Sequence, residues 1–587
     1  MEGEIVAQPG RSRSVIAAVV LAVVVHLPGI TGAFLTWDDA LYVTNNPRVQ
    51  EASLRGLLRV WDPSDALAGR FIEYFPLRDT LYLALHGAFG EWPPPYHATI
   101  LFLHACATYL VWRVARRIGL SDRAALFASL LFAVHPVHVE SVVWIAALKD
   151  PMYACCFCIV VDRHLRWRDE GPYKHLAMSH AALAVGFLVK SLMCVIPGVV
   201  MLAELAFRRV SKRELVIGVL GYGAISAAFI ALIIQIAHAN DVVAPYHGGT
   251  IWTAVMTAVV YSAIYLSKTI LPVDLCAFYV IDPVLSPLDW RFLISGSIFA
   301  ALAVISVRRD RAGDRIHQFT LLWFIACLIP VLNIIPMRLQ IADRYLYIPS
   351  IGVCLWCGVM LGRLAERHLR LAVGVAFFWL ATFSVLSAQQ SLIWTDEEAL
   401  WRQVLEQPQG GDRAQPLVAL GDVLQLRGRT AEALALYLQA ADTTDARAKP
   451  DASAALLLLG RGDLASARTH AARALARNPE ADLAWLASSK VKEAEGDLRG
   501  AAAALARVAE LAPLNATARW NLALLRMKLG DLDGAAQAMA DALRVSPALC
   551  ERFWSVAPSM RASVPAAAAR FESVASVACP SAAAHTP

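Results

Sequence analysis

Long apolar runs recur along the first two thirds of the chain. A helix needs about 20 consecutive apolar residues to cross a bilayer. Residues 15–36 form the first such run, behind Arg11 and Arg13, and no small-residue cleavage site follows it. We predict a retained membrane span here and ten further spans at 97–117, 122–145, 150–167, 176–189, 191–207, 214–237, 289–307, 317–336, 346–362 and 370–390.

Basic residues cluster between these runs and predict the orientation, because loops rich in Lys and Arg stay in the cytoplasm. Eleven crossings with a cytoplasmic N-terminus put five basic clusters inside and everything after residue 390 outside. Residues 251–271 are apolar enough to span, but a crossing there would move the basic 308–315 loop outside, so we predict an interfacial or re-entrant helix. The five clusters lie at 113–123, 163–174, 208–213, 308–315 and 363–370.

A 34-residue period governs the last part of the chain. Gly428, Gly462, Gly496 and Gly530 recur at this interval, and small residues and prolines recur in phase with them. Glycine at a helix-to-helix turn every 34 residues is typical of tetratricopeptide repeats, which stack into a solenoid with a concave face. We therefore predict an all-α protein with a polytopic membrane domain at 1–393, about four repeats at 394–550 and a disordered or weakly helical tail at 551–587.

Composition and charge agree with this division. Of the 587 residues, 57% are hydrophobic and 17% charged, and 58 of the 101 charged residues fall within 1–393. Such usage excludes an all-soluble enzyme and a disordered or fibrous chain. The net charge of +5, without a basic tract interleaved with aromatics, argues against nucleic acid as a partner. The 11 cysteines lie mostly in apolar runs without zinc spacing, so we expect no disulfide framework.

Adjacent carboxylates follow the first span. Asp38 and Asp39 lie just beyond the membrane on the predicted topology, where one could accept a proton while the other orients a partner. A helix cap or a loop carboxylate pair is the alternative interpretation.

A second polar segment covers 132–150. His135, His138 and Glu140 are metal-ligand types at short spacing, but zinc would require a further ligand that the sequence does not offer. We therefore predict hydrogen-bonded side chains lining a cavity, assign no metal and leave metal dependence open. Lys149 and Asp150 end the segment as an interfacial pair, or Lys149 meets an anionic head group.

Two further cations lie at predicted outer positions. Lys190 interrupts an apolar stretch, which places it at a hairpin tip or in a wet cavity. Arg344 can bind a phosphate bidentately, with Asp343 and Tyr345 holding it in place, or it can anchor the chain at head-group depth. Together these residues predict one outer-leaflet cavity suited to moving a group from a membrane-bound phosphate to a water-side acceptor.

Several stretches, in this order along the chain, resemble the transmembrane and tetratricopeptide-repeat O-mannosyltransferases, which are multispanning glycosyltransferases of the GT-C class. Their order along nearly the whole chain, with the repeats behind them, is more specific than any single motif. The stretches are WDDALYVTNNPRV (37–49), YFPLRDTLYLALHGAFG with PYH (74–97), HPVHVESVVWIAALKD (135–150), YLSKTILPVDLCAFY (265–279), ADRYLYIPSIG (342–352) and QQSLIWTDEEALWRQVL (389–405).

The resemblance implies a polyprenyl-phosphate-linked sugar donor and transfer of mannose to protein hydroxyl groups with inversion. Either Asp38 or Asp39 then resembles the catalytic base. Lys149, Lys190, Arg344 and Arg78 resemble donor phosphate ligands, and His135, His138, Glu140, Asp150 and Asp343 line the cavity. The stretch VKSLMCVIPG (189–198) departs from the family pattern after its lysine, which weakens the role of Lys190.

The Arg-rich and Ala-rich composition suggests a bacterial inner membrane, with the repeats on the periplasmic side and no cofactor identified. Protein acceptors or partners would bind the repeats. Two alternatives stay open at this point. One is a non-catalytic membrane-anchored scaffold for protein assembly, and the other is a lipid-linked oligosaccharide flippase, although the spans show no internal symmetry.

Overall fold

The described part of the protein is mostly helical. The computed structural model describes residues 13–64, 73–207, 212–239, 245–337, 339–407, 413–443, 447–546 and 548–579. The regular elements in these ranges are helices, which confirms the all-α prediction. The chain divides into two compact units, Met1–Gly410 and Gly411–Pro587. The division falls after the helix Glu397–Glu406 and not at the predicted boundary of 393.

Among the described residues, the first unit contains seventeen α-helices, and short 3-10 turns and one π-helical turn lie between some of them. They are α1 (Arg13–His26), α2 (Pro47–Gln50), α3 (Leu54–Trp61), α4 (Pro76–Phe89), α5 (Pro94–Arg117), α6 (Asp122–Ala133), α7 (Val139–Val143), α8 (Lys149–Glu170), α9 (Tyr173–Phe187), α10 (Ile196–Phe207), α11 (Lys212–Ala239), α12 (Ile251–Ile270), α13 (Trp290–Arg311), α14 (Ile316–Leu328), α15 (Pro349–Arg367), α16 (Leu369–Ile393) and α17 (Glu397–Glu406).

Fewer helices qualify as membrane spans than the predicted eleven. Within the described ranges, six are long and apolar enough to cross a bilayer, and a bent pair makes a seventh. Helix α8 carries too many charges, and α9 is too short at 15 residues. Helix α12, predicted to be interfacial or re-entrant, qualifies by length and composition. The six are Ser14–Thr31, Pro94–Arg117, Gly218–Ala239, Ile251–Ile270, Trp290–Arg311 and Leu369–Ile393.

The bent pair shapes the polar centre of this unit. Helix α6 and the segment Pro136–Val143 meet at 52°. Pro136 cannot continue a helix from α6, because it lacks a backbone N–H and its ring clashes with the preceding turn. Two 3-10 turns and the short helix α7 follow before α8 begins at Lys149. This irregular path brings Glu140 and Trp144 into a buried position ahead of α8.

The second unit is a row of helical hairpins. In each hairpin, the residue of the 34-residue glycine series occupies the turn with a positive φ, between 76° and 83°. An Asp then caps the second helix in the last three hairpins, as when Asp497 Oδ1 accepts the Gly500 N–H at 2.8 Å. The hairpins are α18 (Ala414–Leu426) with α19 (Thr430–Ala441), α20 (Ala448–Gly460) with α21 (Leu464–Arg477), α22 (Asp482–Ala494) with α23 (Leu498–Leu511), and α24 (Ala516–Lys528) with α25 (Leu532–Val545).

The tail, predicted to be disordered or weakly helical, is helical over most of residues 551–578, and residues 580–587 lie outside the described ranges. Helices α26 (Ala548–Ser563) and α27 (Pro565–Ala578) follow the last hairpin. Phe553 and Phe571 are fully buried in the same apolar cluster as the last repeat, so burial stabilises the tail despite its high content of Ala, Ser and Pro. Cys550 and Cys579 form a disulfide, which the sequence analysis did not expect.

Candidate active site

Charged side chains from five separate segments meet in the first unit. They come from the loop after the first span, the residues before and at the start of α4, the stretch from α7 to the start of α8, the turn after α9 and the 3-10 turn Asp343–Leu346. Most of the predicted site residues are brought together here, along with one that was not predicted. The cluster consists of Asp38, Glu73, Arg78, Glu140, Lys149, Asp150, Lys190 and Arg344.

Asp39 serves as a structural anchor. Its Oδ2 accepts the Leu35 N–H at 2.8 Å and its Oδ1 accepts the Ala146 N–H at 2.6 Å. The side chain is fully buried. Burial raises the pKa of Asp39 to about 8, although the two backbone N–H groups act in the opposite direction. Both oxygens are therefore occupied in joining the first loop to the segment before α8.

Asp38 has a different environment. It is partly exposed, and no hydrogen bond to its carboxylate is found among the described residues. Burial raises its pKa, while the positive charges of Arg344 and Lys149 act to lower it. Of the two adjacent carboxylates, Asp38 is thus the one left available to a ligand.

Glu73 joins two of the cations and was missed by the sequence analysis. Its Oε2 lies 2.6 Å from Arg78 Nη1 and 3.1 Å from Lys149 Nζ. The Tyr42 ring lies beneath both, 4.3 Å from Arg78 Cζ and 4.9 Å from Lys149 Nζ. Burial acts to raise the pKa of Glu73, but Lys149 and Arg78 together lower it to about 2. Its place directly before the YFPLRD stretch was the only signal in the sequence.

Lys190 and Lys149 each have a carboxylate partner, and neither partner is adjacent to its lysine in the sequence. Lys190 pairs with Asp150, and Asp150 Oδ2 also accepts the Ser141 hydroxyl at 3.0 Å. Lys149 and Asp150 therefore do not form the interfacial pair that was one of the two sequence interpretations. Lys190 is only 7% exposed, which agrees with a buried polar cavity better than with a solvated hairpin tip.

Arg344 is held by Glu140 and not by Asp343. Its guanidinium pairs with Glu140 Oε1, and its backbone N–H donates to Glu140 Oε2 at 2.8 Å. The predicted contact with Tyr345 is present, with Arg344 Cζ 5.3 Å from the ring centroid. Asp343 instead accepts the Tyr279 hydroxyl at 2.8 Å. Consecutive residues in the 3-10 turn point in different directions, so Asp343 faces away from its neighbour's guanidinium.

A small cavity lies between two of the cations. Lys190 and Arg344 both line it, together with Asp150, and three tyrosine rings complete its wall. The cavity therefore brings two cations together among aromatic rings, and each cation already has a carboxylate partner, Asp150 for Lys190 and Glu140 for Arg344. The tyrosines are Tyr153, Tyr345 and Tyr347.

His135 and His138 do not line this cavity, contrary to the prediction. His135 Nε2 lies 2.9 Å from the Thr269 carbonyl, and His138 Nδ1 lies 2.9 Å from the Phe132 carbonyl. The second nitrogen of His138 bonds Ser350 Oγ at 2.8 Å. Both rings are buried and hydrogen-bonded to backbone, His138 to a carbonyl of α6 and His135 to a carbonyl near the end of α12. Within the described residues, no group of three metal-ligating side chains could hold an ion.

The second unit carries a groove of about 480 Å³ across three consecutive hairpins. Leu456, Leu459 and Leu486 form its apolar floor, and Lys490 lies beside them. Asn521 contributes a partly buried side-chain amide, for which no hydrogen bond is found among the described residues. An apolar floor with an unused amide suits an extended peptide, whose backbone offers both donors and acceptors.

Comparisons with known proteins agree with this organisation. The tetratricopeptide repeat family model matches residues 493–557. The chain is 38% identical over 112 residues to protein O-mannosyl-transferase Tmtc2 of Drosophila melanogaster, covering 18% of this chain and 12% of that protein. It is 25% identical over 388 residues to protein O-mannosyl-transferase F38B6.6 of Caenorhabditis elegans, covering 61% and 53%. The matches thus span about half or less of these relatives.

Among solved structures, the chain overlaps the archaeal oligosaccharyltransferase AglB of Archaeoglobus fulgidus, in complex with an inhibitory peptide and a dolichol-phosphate. The TM-score is 0.41 at 11% identity, over 70% of this chain and 58% of that one. A TM-score below 0.5 is too low to establish a shared fold or activity. The sequence matches, in contrast, confirm that the chain resembles the transmembrane and tetratricopeptide-repeat protein O-mannosyl-transferases.

Proposed function

We propose that the protein is an integral-membrane glycosyltransferase of GT-C type. It transfers a sugar, mannose by analogy with its relatives' names, from a polyprenyl-phosphate-linked donor to a hydroxyl group of a protein or other acceptor. One observation carries the proposal. Asp38, whose carboxylate has no hydrogen bond among the described residues, lies near buried cations from several segments. A transferase with a phosphate leaving group requires both parts.

The proposed reaction is a single displacement. Asp38 accepts the proton of the acceptor hydroxyl, and the oxygen attacks the anomeric carbon from the face opposite the phosphate. The bond between that carbon and the phosphate oxygen breaks, and the lipid phosphate leaves with the electron pair. Lys149, Lys190, Arg344 and Arg78 stabilise the charge that develops on it. One displacement inverts the anomeric configuration, so a second carboxylate nucleophile is not required.

The orientation is also a proposal. We infer that the N-terminus is cytoplasmic and that the repeats lie on the external side, in a bacterial inner membrane. The disulfide between Cys550 and Cys579 supports this side, because disulfides persist in oxidising compartments. Eleven crossings fit the basic loops if α12 does not cross and if the bent pair and the helices α8, α9, α10, α14 and α15 do.

We propose further that the groove on the repeats binds the polypeptide to be modified. The unused Asn521 amide supports this, as do the apolar floor and Lys490 beside it. Asn521→Ala should lower transfer to a folded protein acceptor about tenfold, the effect of losing roughly 1.4 kcal/mol. Transfer to a short soluble acceptor should be unchanged. An equal loss with both acceptors would contradict the assignment of the groove.

Single substitutions of the two carboxylates test the function. Asp38→Asn should abolish sugar transfer in membranes supplied with a polyprenyl-phosphate sugar while the protein level stays normal. Asp39→Asn should lower the protein level, because its amide nitrogen cannot accept the second backbone N–H and a buried donor left unpaired costs about 1–3 kcal/mol. Full transfer by Asp38→Asn would remove the base and favour the alternative, a non-catalytic scaffold.

A further inference from the structure

The loop that carries Asp38 is fastened to the helix that leads towards the repeats. The Thr36 N–H donates to Glu397 Oε2 at 2.9 Å, and the Thr36 hydroxyl donates to Glu397 Oε1 at 2.7 Å. Both oxygens of Glu397 are used in this pair of bonds. Glu397 is the first residue of α17 and belongs to the same compact unit as the charged cluster.

Aromatic packing reinforces the same junction. The Trp37 ring stacks on Trp144 with centroids 4.9 Å apart and lies 5.1 Å from Trp401, one turn along α17 from Glu397. Trp144 in turn lies 5.6 Å from Trp394 and under Arg344, whose Cζ is 5.2 Å from the ring. Trp37 is thus enclosed by the segment before α8 on one side and by α17 on the other.

Asp38 is positioned by its neighbours. The carboxylate has no hydrogen bond of its own among the described residues, so its place depends on the backbone around it. Asp39 fixes that backbone to Ala146 on one side. Two residues before Asp38, Thr36 fixes the same backbone to Glu397. The cations have separate supports, since Lys149 pairs with Glu73 and Arg344 with Glu140.

We propose that Glu397 is a positioning residue for the transfer reaction, acting through Thr36 to hold Asp38 against the donor and acceptor. This inference rests on the proposed function. It makes α17 a part of the catalytic domain, and not a passive linker to the repeats. Because Lys149 and Arg344 have carboxylate partners other than Glu397, loss of Glu397 should impair the chemical step and leave donor binding intact.

The test uses the full-length chain in native membranes or detergent. Thr36→Val removes the hydroxyl and should lower kcat about tenfold, and Glu397→Ala should lower it about a hundredfold, the cost of a displacement near 1 Å at a reacting group. The donor KM should not change. Thr36→Ser keeps the hydroxyl and should restore kcat. Glu406→Gln, a charge change at the exposed end of the same helix, is the matched control and should be neutral.

Amide hydrogen exchange gives a readout that does not depend on activity. In Glu397→Ala the amides of residues 33–45 should exchange faster than in the unaltered chain, while Glu406→Gln should leave them unchanged. Unchanged exchange, or kcat within twofold of normal for both Thr36→Val and Glu397→Ala, would overturn the proposal. A chain that transfers no sugar at all would refute the proposed function, and the exchange measurement would still decide whether Glu397 holds the loop.

Discussion

At the residue scale, the two adjacent aspartates differ in what their oxygens do. Both carboxylate oxygens of Asp39 accept backbone N–H groups, whereas the carboxylate of Asp38 has no hydrogen bond among the described residues. The sequence identified the pair, but it could not divide the roles. The division depends on a contact with Ala146, which lies 107 positions further along the chain.

The pH dependence of transfer follows from Asp38. Only the ionised carboxylate accepts a proton, and burial raises the pKa of Asp38 above its ordinary value of 3.8. The rate should therefore fall as the pH drops through this raised pKa, at a higher pH than an exposed aspartate would give. A profile of kcat/KM between about pH 4 and 8 measures it. An acid limb centred at or below 3.8 would contradict the assignment of Asp38.

The cations and their partners were only partly predictable. Charges in apolar surroundings are costly, so their positions in the sequence indicated a site. The partners were harder to find, because ion pairs such as Lys149 with Glu73 join residues 76 positions apart. Asp343 was predicted to hold Arg344 because the two residues are adjacent in the sequence, but its side chain accepts the Tyr279 hydroxyl instead.

At the element scale, the repeat turns were the most predictable feature. The 34-residue spacing gave the glycines, and all four have the positive φ that other residues rarely adopt. The apolar runs gave most of the helices of the first unit as well. They did not give the bend at Pro136 or the irregular segment after it, because hydrophobicity does not distinguish a buried turn from a span.

Two glycines in one turn allow a matched test of the repeat geometry. Gly462 has a φ of 82°, so Gly462→Ala should destabilise the repeat unit by about 1–2 kcal/mol. Gly460 is the last residue of α20, and a Cβ added there would meet no other atom within 4 Å. Gly460→Ala should therefore be neutral or stabilise the unit by up to about 1 kcal/mol. Urea unfolding of the intact chain, followed by amide exchange within residues 413–579, measures both. Equal effects of the two substitutions would contradict the left-handed turn.

At the scale of the whole molecule, the chain divides into one unit with long apolar helices and one unit of helical hairpins. The first buries its charges in pairs, and the second repeats one hairpin and closes it with two further helices. The sequence predicted this division but set the boundary at the end of the last apolar run. Helix α17 is as polar as the repeat helices, yet it belongs to the first unit, where Glu397 contacts Thr36 and Trp401 contacts Trp37.

The disulfide gives a test for the whole chain. Nine described cysteines are not part of a disulfide, and Cys550 and Cys579 are bonded to each other. Alkylation of the denatured protein should therefore modify nine cysteines before reduction and eleven after it. The two cysteines are 29 positions apart, and the disulfide that closes this loop should stabilise the terminal helices by roughly 3 kcal/mol. Eleven modifications without reductant would exclude the bond and weaken the case for external repeats.

The contact between Thr36 and Glu397 also has a consequence for biosynthesis. Its two partners are 361 positions apart, which at about 5–20 residues per second means about 20 to 70 s of translation between them. A nascent chain will already contain Asp38 and the four cations proposed to bind the donor before α17 is synthesised. The reactive loop can therefore close only near the end of membrane insertion, so that an unfinished chain carries the chemical groups of the site without their working arrangement.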